Sequence, residues 1–192
     1  MVAQRRRRRE GFAEKRERLG AIEDPNVVLE AALRFLEVRA RSIDEVRRRL
    51  RTAGYRTELI EGAIERLLGL GILDDAAFAK AWVESRDRAR PRGERALRRE
   101  LQIKGIERGT VDTAMDERRP EPGSADDPDQ AAAEALMARH ASALARVADP
   151  RKRRQRAYAM LARNGFDPEI AARLSSSTVG DGSANASDEP TS

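Results

Sequence analysis

The sequence predicts an all-α fold: an elongated tandem array of three three-helix repeats, between a disordered basic N-terminal arm and a disordered polar C-terminal tail. Three observations carry this. Apolar residues recur at helical spacing between punctuating glycines and prolines. Helix-start residues stand ahead of these segments. One short pattern, Leu-x-x-x-Gly-apolar, returns three times, each time at the end of a second helix.

Residues 1–24 form the arm, basic and with little periodicity. Repeat 1 spans 25–73. Asp24-Pro25-Asn26 opens its first helix, with Val28, Ala31, Ala32, Phe35 and Leu36 at helical spacing to about Arg39. Ser42-Ile43-Asp44-Glu45 reads as a capping box for the second helix, which buries Ile43, Val46 and Leu50 and stops at Gly54. Thr57 begins the third, with Ile60, Ile64, Leu67 and Leu68 on one face and Gly71 at its end. Repeat 2 spans 74–118: Asp74-Asp75 precedes a stripe of Phe78, Ala79, Trp82 and Val83, Pro91-Arg92-Gly93 breaks the chain, Leu97 and Leu101 mark the next helix, and Val111 and Met115 the third. Residues 119–129 are a linker by composition. Repeat 3 spans 130–175, with a long helix from Gln130 to Val147, a break at Asp149-Pro150, and helices ending at Gly165 and near Leu174. Residues 176–192 are the tail.

Register tests the repeat. Leu50, Leu101 and Leu161 are each followed four residues on by Gly54, Gly105 and Gly165, then by Tyr55, Ile106 and Phe166. The leucines fall 51 and 60 residues apart, the excess lying in the linker. Beyond the glycine, Ile60 and Ile64 match Val111 and Met115, whereas the third copy reads as one residue short, at Ile170 and Leu174. Each unit buries a thin stripe and needs a neighbour to cover the rest.

Composition narrows the function. Charged residues make up 37% of the 192-residue chain and aromatics 4%, where an average domain holds about 25% charged residues. The net charge of +5 is clustered: residues 1–20 carry eight basic and three acidic side chains, 21–119 carry 21 and 19, and 151–156 read RKRRQR. Clustered cations suit polyanionic partners, although 34 arginines against four lysines also point to a general Arg bias. The absence of cysteine removes disulfides, thiolate zinc sites and Cys nucleophiles and fits a reducing cytoplasm. No apolar run reaches the ~18 residues of a membrane span, and no apolar stretch follows the basic N-terminus as a secretory signal requires. No phosphate-binding loop, dinucleotide fingerprint or HExxH motif is present. Neither a cofactor nor a membrane partner is expected, and a non-enzymatic binding protein is.

Ala32-Leu33-x-Phe35-Leu36-x-x-Arg39, Arg41-Ser42-x-x-Glu45-Val46 and Leu50-x-x-x-Gly54-Tyr55 lead into Leu67-x-x-x-Gly71-Ile72-Leu73-Asp74-Asp75-x-x-Phe78-Ala79, then Gly93 and Glu100-Leu101-x-x-Lys104-Gly105-Ile106. At these residues the chain resembles the RecX family, regulators of the RecA recombinase. The resemblance is strong over about 27–117 and weak over 130–174. It implies three-helix units that bind RecA or its filament on single-stranded DNA and restrain recombinase, ATPase and coprotease activities. A cytoplasmic monomer is expected, with direct contact to single- or double-stranded DNA as a further expectation. The Arg-rich arm, the 119–129 insertion and the polar tail depart from the family pattern.

Candidate contacts are arginines. Arg47, Arg48 and Arg51 lie on or beside the outer face of the second helix of repeat 1, and Arg98 and Arg99 align with Arg47 and Arg48 in repeat 2. Equivalent cations in successive repeats suit a partner that itself repeats; the competing reading is a solvated face with Asp44–Arg48 and Glu45–Arg49 pairs. Arg86, Arg88, Arg90, Arg92 and Arg95 line the break beside Gly93, where a basic loop suits phosphate or carboxylate. Arg151, Lys152, Arg153, Arg154 and Arg156 crowd a helix start, against the macrodipole. Asp74-Asp75 reads as a helix cap, His140 as a surface or structural residue, and Trp82 as core with base stacking as the minor option. The alternative function is a helix-turn-helix-like nucleic-acid module, with 42–52 and 57–68 as its pair, acting without RecA.

Overall fold

A computed structural model describes residues 11–119 and 127–180, and within them the chain is entirely helical. Ten helices follow in order: α1 (Phe12–Gly20), α2 (Pro25–Leu36), α3 (Ile43–Ala53), α4 (Thr57–Gly69), α5 (Asp75–Ala89), α6 (Glu94–Ile103), α7 (Arg108–Arg118), α8 (Pro128–Ala145), α9 (Pro150–Arg163) and α10 (Pro168–Gly180). The three triplets α2–α4, α5–α7 and α8–α10 are the three repeats. Caps expected from the sequence form: Asp24 accepts from the Asn26 amide at 2.9 Å, and Ser42 and Glu45 exchange both bonds of a capping box. Asp74 accepts from the amides of Ala76 and Ala77.

By contact density the chain divides into a unit of residues 1–78 with 104–106 and a unit of 79–103 with 107–192. In the first, Val28, Ala32, Val46, Leu50, Ile60, Ile64 and Leu67 close one core between α2, α3 and α4. In the second, Leu97, Leu101, Val111 and Met115 are buried, and a further core joins Ala133, Leu136, Leu161, Phe166 and Ala171 of α8–α10.

Four corrections follow. Residues 12–20, expected to be mobile, form α1, which buries Leu19 and packs on α3. Its Arg16 lies so close to Gly54 that a Cβ there would strike it. The linker ends earlier than composition suggests, because Pro128 and Asp129 already belong to α8; residues 120–126 lie outside the described residues. The tail begins later, since α10 continues to Gly180; residues 181–192, like 1–10, are outside the described residues.

The fourth concerns register. α4, α7 and α10 start from cap residues Arg56, Glu107 and Asp167, spaced 51 and 60 like the leucines before them. The third copy therefore loses no residue. Its positions matching Ile60/Val111 and Ile64/Met115 are Ala171 and Ser175, 0% and 1% exposed. Small residues hide the match in a hydrophobicity pattern.

Candidate partner-binding surface

Second helices end on a common device. Gly54, Gly105 and Gly165 all hold positive φ (110°, 78° and 83°), which L side chains adopt only with strain. At two of these stops the amide after the glycine returns to the leucine carbonyl: Tyr55 to Leu50 and Phe166 to Leu161, both at 3.3 Å. Ile72 returns to Leu67 at 2.9 Å across Gly71, so the pattern marks this kind of helix stop wherever it occurs.

These corners are also joints. In the first unit, Ser42 Oγ donates to the Lys104 carbonyl at 2.6 Å and the Ile43 amide donates to Asp75 at 2.9 Å. In the second, the Gly93 amide donates to the Asn164 carbonyl at 3.0 Å and the Glu94 amide to Asp129 at 2.9 Å. Ser42 and Gly93 both cap a second helix; Lys104 and Asn164 both precede a positive-φ glycine. The joint thus recurs at corresponding places, with a hydroxyl donor in one and a main-chain amide in the other. Asp74 is a cap as expected, but Asp75 serves the joint, and burial pushes its carboxyl above the usual range. Burial likewise raises Asp129. Beside it Arg118, 6% exposed, pairs with Asp87 and Asp129 and also donates to the carbonyl of Arg92. Burial opposes its charge, yet these bonds hold its pKa above the ordinary value. No periodicity signals Asp75, Asp129 or Arg118 in the sequence, because their partners lie in other helices.

The predicted arginines divide into two groups. Arg47 makes a bidentate pair with Glu61, 2.8 Å at both contacts, and Arg98 bridges Glu94 and Asp112. These equivalent residues tie second to third helix inside each repeat. Arg48 pairs with Asp44 at 2.9 Å. Arg92 donates to Asn164 and approaches Glu100, and Arg95 pairs with Asp167. Arg153 donates to the Val147 carbonyl. Arg51, Arg88, Arg90, Arg99, Arg151, Lys152, Arg154 and Arg156 are exposed and have no ion-pair partner among the described residues. Gly93 serves close packing: a Cβ there would collide with the backbone of Gly165 and Phe166.

Arg86 belongs to the structural group. It donates to Glu100 at 2.7 Å while its guanidinium covers Trp82 at 4.0 Å, and Trp82 Nε1 donates to the same carboxylate. One face of Trp82 is therefore covered by a guanidinium. Lys104 lies over Phe78 and Arg41 over Phe35. His140 is exposed, and no cluster of three potential metal ligands occurs among the described residues. No helix among them is long and apolar enough to cross a membrane.

Three-helix repeats with positive-φ glycine corners and exposed cations that lack ion-pair partners among the described residues define a helical-repeat binding protein. Comparison with known proteins supplies the family. The first three-helix domain of RecX matches residues 29–67, the second 74–115 and the third 127–174. The chain is 38% identical over 132 residues to the regulatory protein RecX of Streptomyces coelicolor, covering 67% of this chain and 66% of that protein, just under two thirds. It is 35% identical to that of Thermobifida fusca (77% and 74% covered) and 32% identical to that of Prosthecochloris aestuarii (76% and 89%). The crystal structure of RecX from Lactobacillus salivarius superposes with a TM-score of 0.65 at 20% identity, covering 82% of this chain and 97% of that one, which shows the shared fold. The chain belongs to the RecX family of regulatory proteins.

Proposed function

We propose that this chain binds RecA, or the RecA–single-stranded DNA filament, and inhibits its recombinase, ATPase and coprotease activities, acting in the cytoplasm as a monomer without catalysis of its own. The observation that carries the reading is the ordered match of all three RecX domains. The unpaired cations of α3, α5, α6 and α9 support it chemically: they are the charges still available to carboxylates or phosphates once internal pairs are counted. A filament repeats its surface, so units that bind weakly one at a time gain avidity in series.

The helix-turn-helix alternative is disfavoured by α4, which would have to enter a DNA groove. Its exposed residues include Glu58 and Glu65, with Arg66 the one exposed base. The test adds purified protein to RecA strand exchange on single-stranded DNA and sediments the filament. Inhibition with co-sedimentation is expected; absence of both overturns the proposal.

A further inference from the structure

Repeat 3 differs from the others at one place that matters. In repeats 1 and 2 an arginine of the second helix meets an acid of the third: Arg47 with Glu61, Arg98 with Asp112. By the register fixed at Leu161, Gly165 and Asp167, the corresponding residues of repeat 3 are Tyr158 and Ala172. The bridge is gone, and Ser175 stands where Ile64 and Met115 fill the other repeats. A groove of about 370 Å³ opens between α9 and α10, lined by Arg151, Arg154, Gln155, Tyr158, Ala172 and Ser175.

Its walls have a definite chemistry. Tyr158 is 39% exposed, and no cation among the described residues covers its ring, unlike Phe35, Phe78 and Trp82. Arg151 and Arg154 precede it by seven and four residues and so share its face of α9. Both lack an ion-pair partner among the described residues, as do neighbouring Lys152 and Arg156. The Ser175 hydroxyl bonds to the Ala172 carbonyl at 3.1 Å, leaving small side chains on the opposite wall. An open aromatic face with two free guanidiniums along one side fits a planar base joined to phosphates. Single-strand binders combine these same parts.

We propose that the α9–α10 groove is a nucleotide subsite for single-stranded nucleic acid, with a base on Tyr158 and its flanking phosphates on Arg151 and Arg154. The site deepens the reading above and rests on it for its place in regulation, but strand binding itself needs no RecA. The experiment therefore uses the full chain alone with a fluorescent 15-nucleotide oligothymidylate. Tyr158→Leu weakens binding roughly 5- to 160-fold with an unchanged salt slope, since the phosphate contacts remain. Tyr158→Phe keeps the affinity. Arg151→Gln with Arg154→Gln flattens the slope by about 1.4, at ~0.7 per phosphate contact. Ala172→Leu closes the groove from the other wall and reproduces the loss independently of the ring.

Affinity within twofold of the parent for both Tyr158→Leu and Ala172→Leu overturns the subsite. So does a 15-residue polyglutamate that binds as tightly and loses as much with Tyr158→Leu, which would make the groove a protein contact. Loss of RecA inhibition with strand binding intact counts against the regulatory reading alone.

Discussion

Glycine at a given position is decided by what approaches it. Gly93 has an ordinary φ, yet a Cβ would meet the main chain of Gly165, so only hydrogen fits. Gly62 lies within α4 with nothing inside 4 Å of the same added atom. Gly93→Ala is expected to destabilise by about 1–3 kcal/mol, as overpacking does. Gly62→Ala is expected to stabilise by about 0.5–1 kcal/mol by restricting the unfolded chain. Urea unfolding of both variants checks the pair, and a Gly93→Ala protein as stable as the parent would deny the contact. From the sequence, Gly93 reads as part of a basic break suited to phosphate or carboxylate, because a glycine among arginines looks the same whether a ligand or a helix end comes near. Tyr158 was illegible for the opposite reason: nothing in its neighbourhood shows that the acid expected across from it has become Ala172.

Among elements, caps and stops were the most legible, since Ser42, Asp24 and the positive-φ glycines act within a few residues of themselves. The joints were not. Glu45 looks like a cap partner and is one, but it also receives Arg39 at 2.9 Å and Lys104 at 3.1 Å. Burial alone would raise its pKa; the hydrogen bonds from Arg39, Lys104 and the Ser42 amide overcome that and hold it at about 2, against 4.5. A depressed carboxylate stabilises the fold above its unfolded value and ceases to do so as pH falls through its folded value. The expected contribution, up to about 3 kcal/mol, is present above pH ~5 and vanishes towards pH 2. Denaturant titrations of the parent and Glu45→Gln between pH 6 and 2 should therefore converge as acid is added; a constant gap would contradict the linkage. α1 escaped notice because one buried leucine in nine residues makes no pattern, and its counterpart is the Gly54 corner.

For the whole molecule, the fold class and the family were legible in repeats 1 and 2, where large aliphatics mark the register. Repeat 3 was blurred because Ala171 and Ser175 keep the spacing without the hydrophobicity. Arginine count misled in a related way: cations at equivalent positions suggested one surface, while half of them hold helices together. Two classes of charge variant should therefore behave differently. Arg51→Glu with Arg99→Glu is expected to reduce filament co-sedimentation and change stability by less than ~0.5 kcal/mol, as for exposed sites. Arg47→Glu, facing Glu61, is expected to lower the melting temperature before any binding defect is read. Equal thermal effects in both would remove the distinction. The Gly93–Asn164 bond carries one more consequence. It joins an amide to a carbonyl, groups that every residue but proline supplies in full. Replacing the side chain at position 164 would therefore cost the Arg92 contact and leave this bond in place.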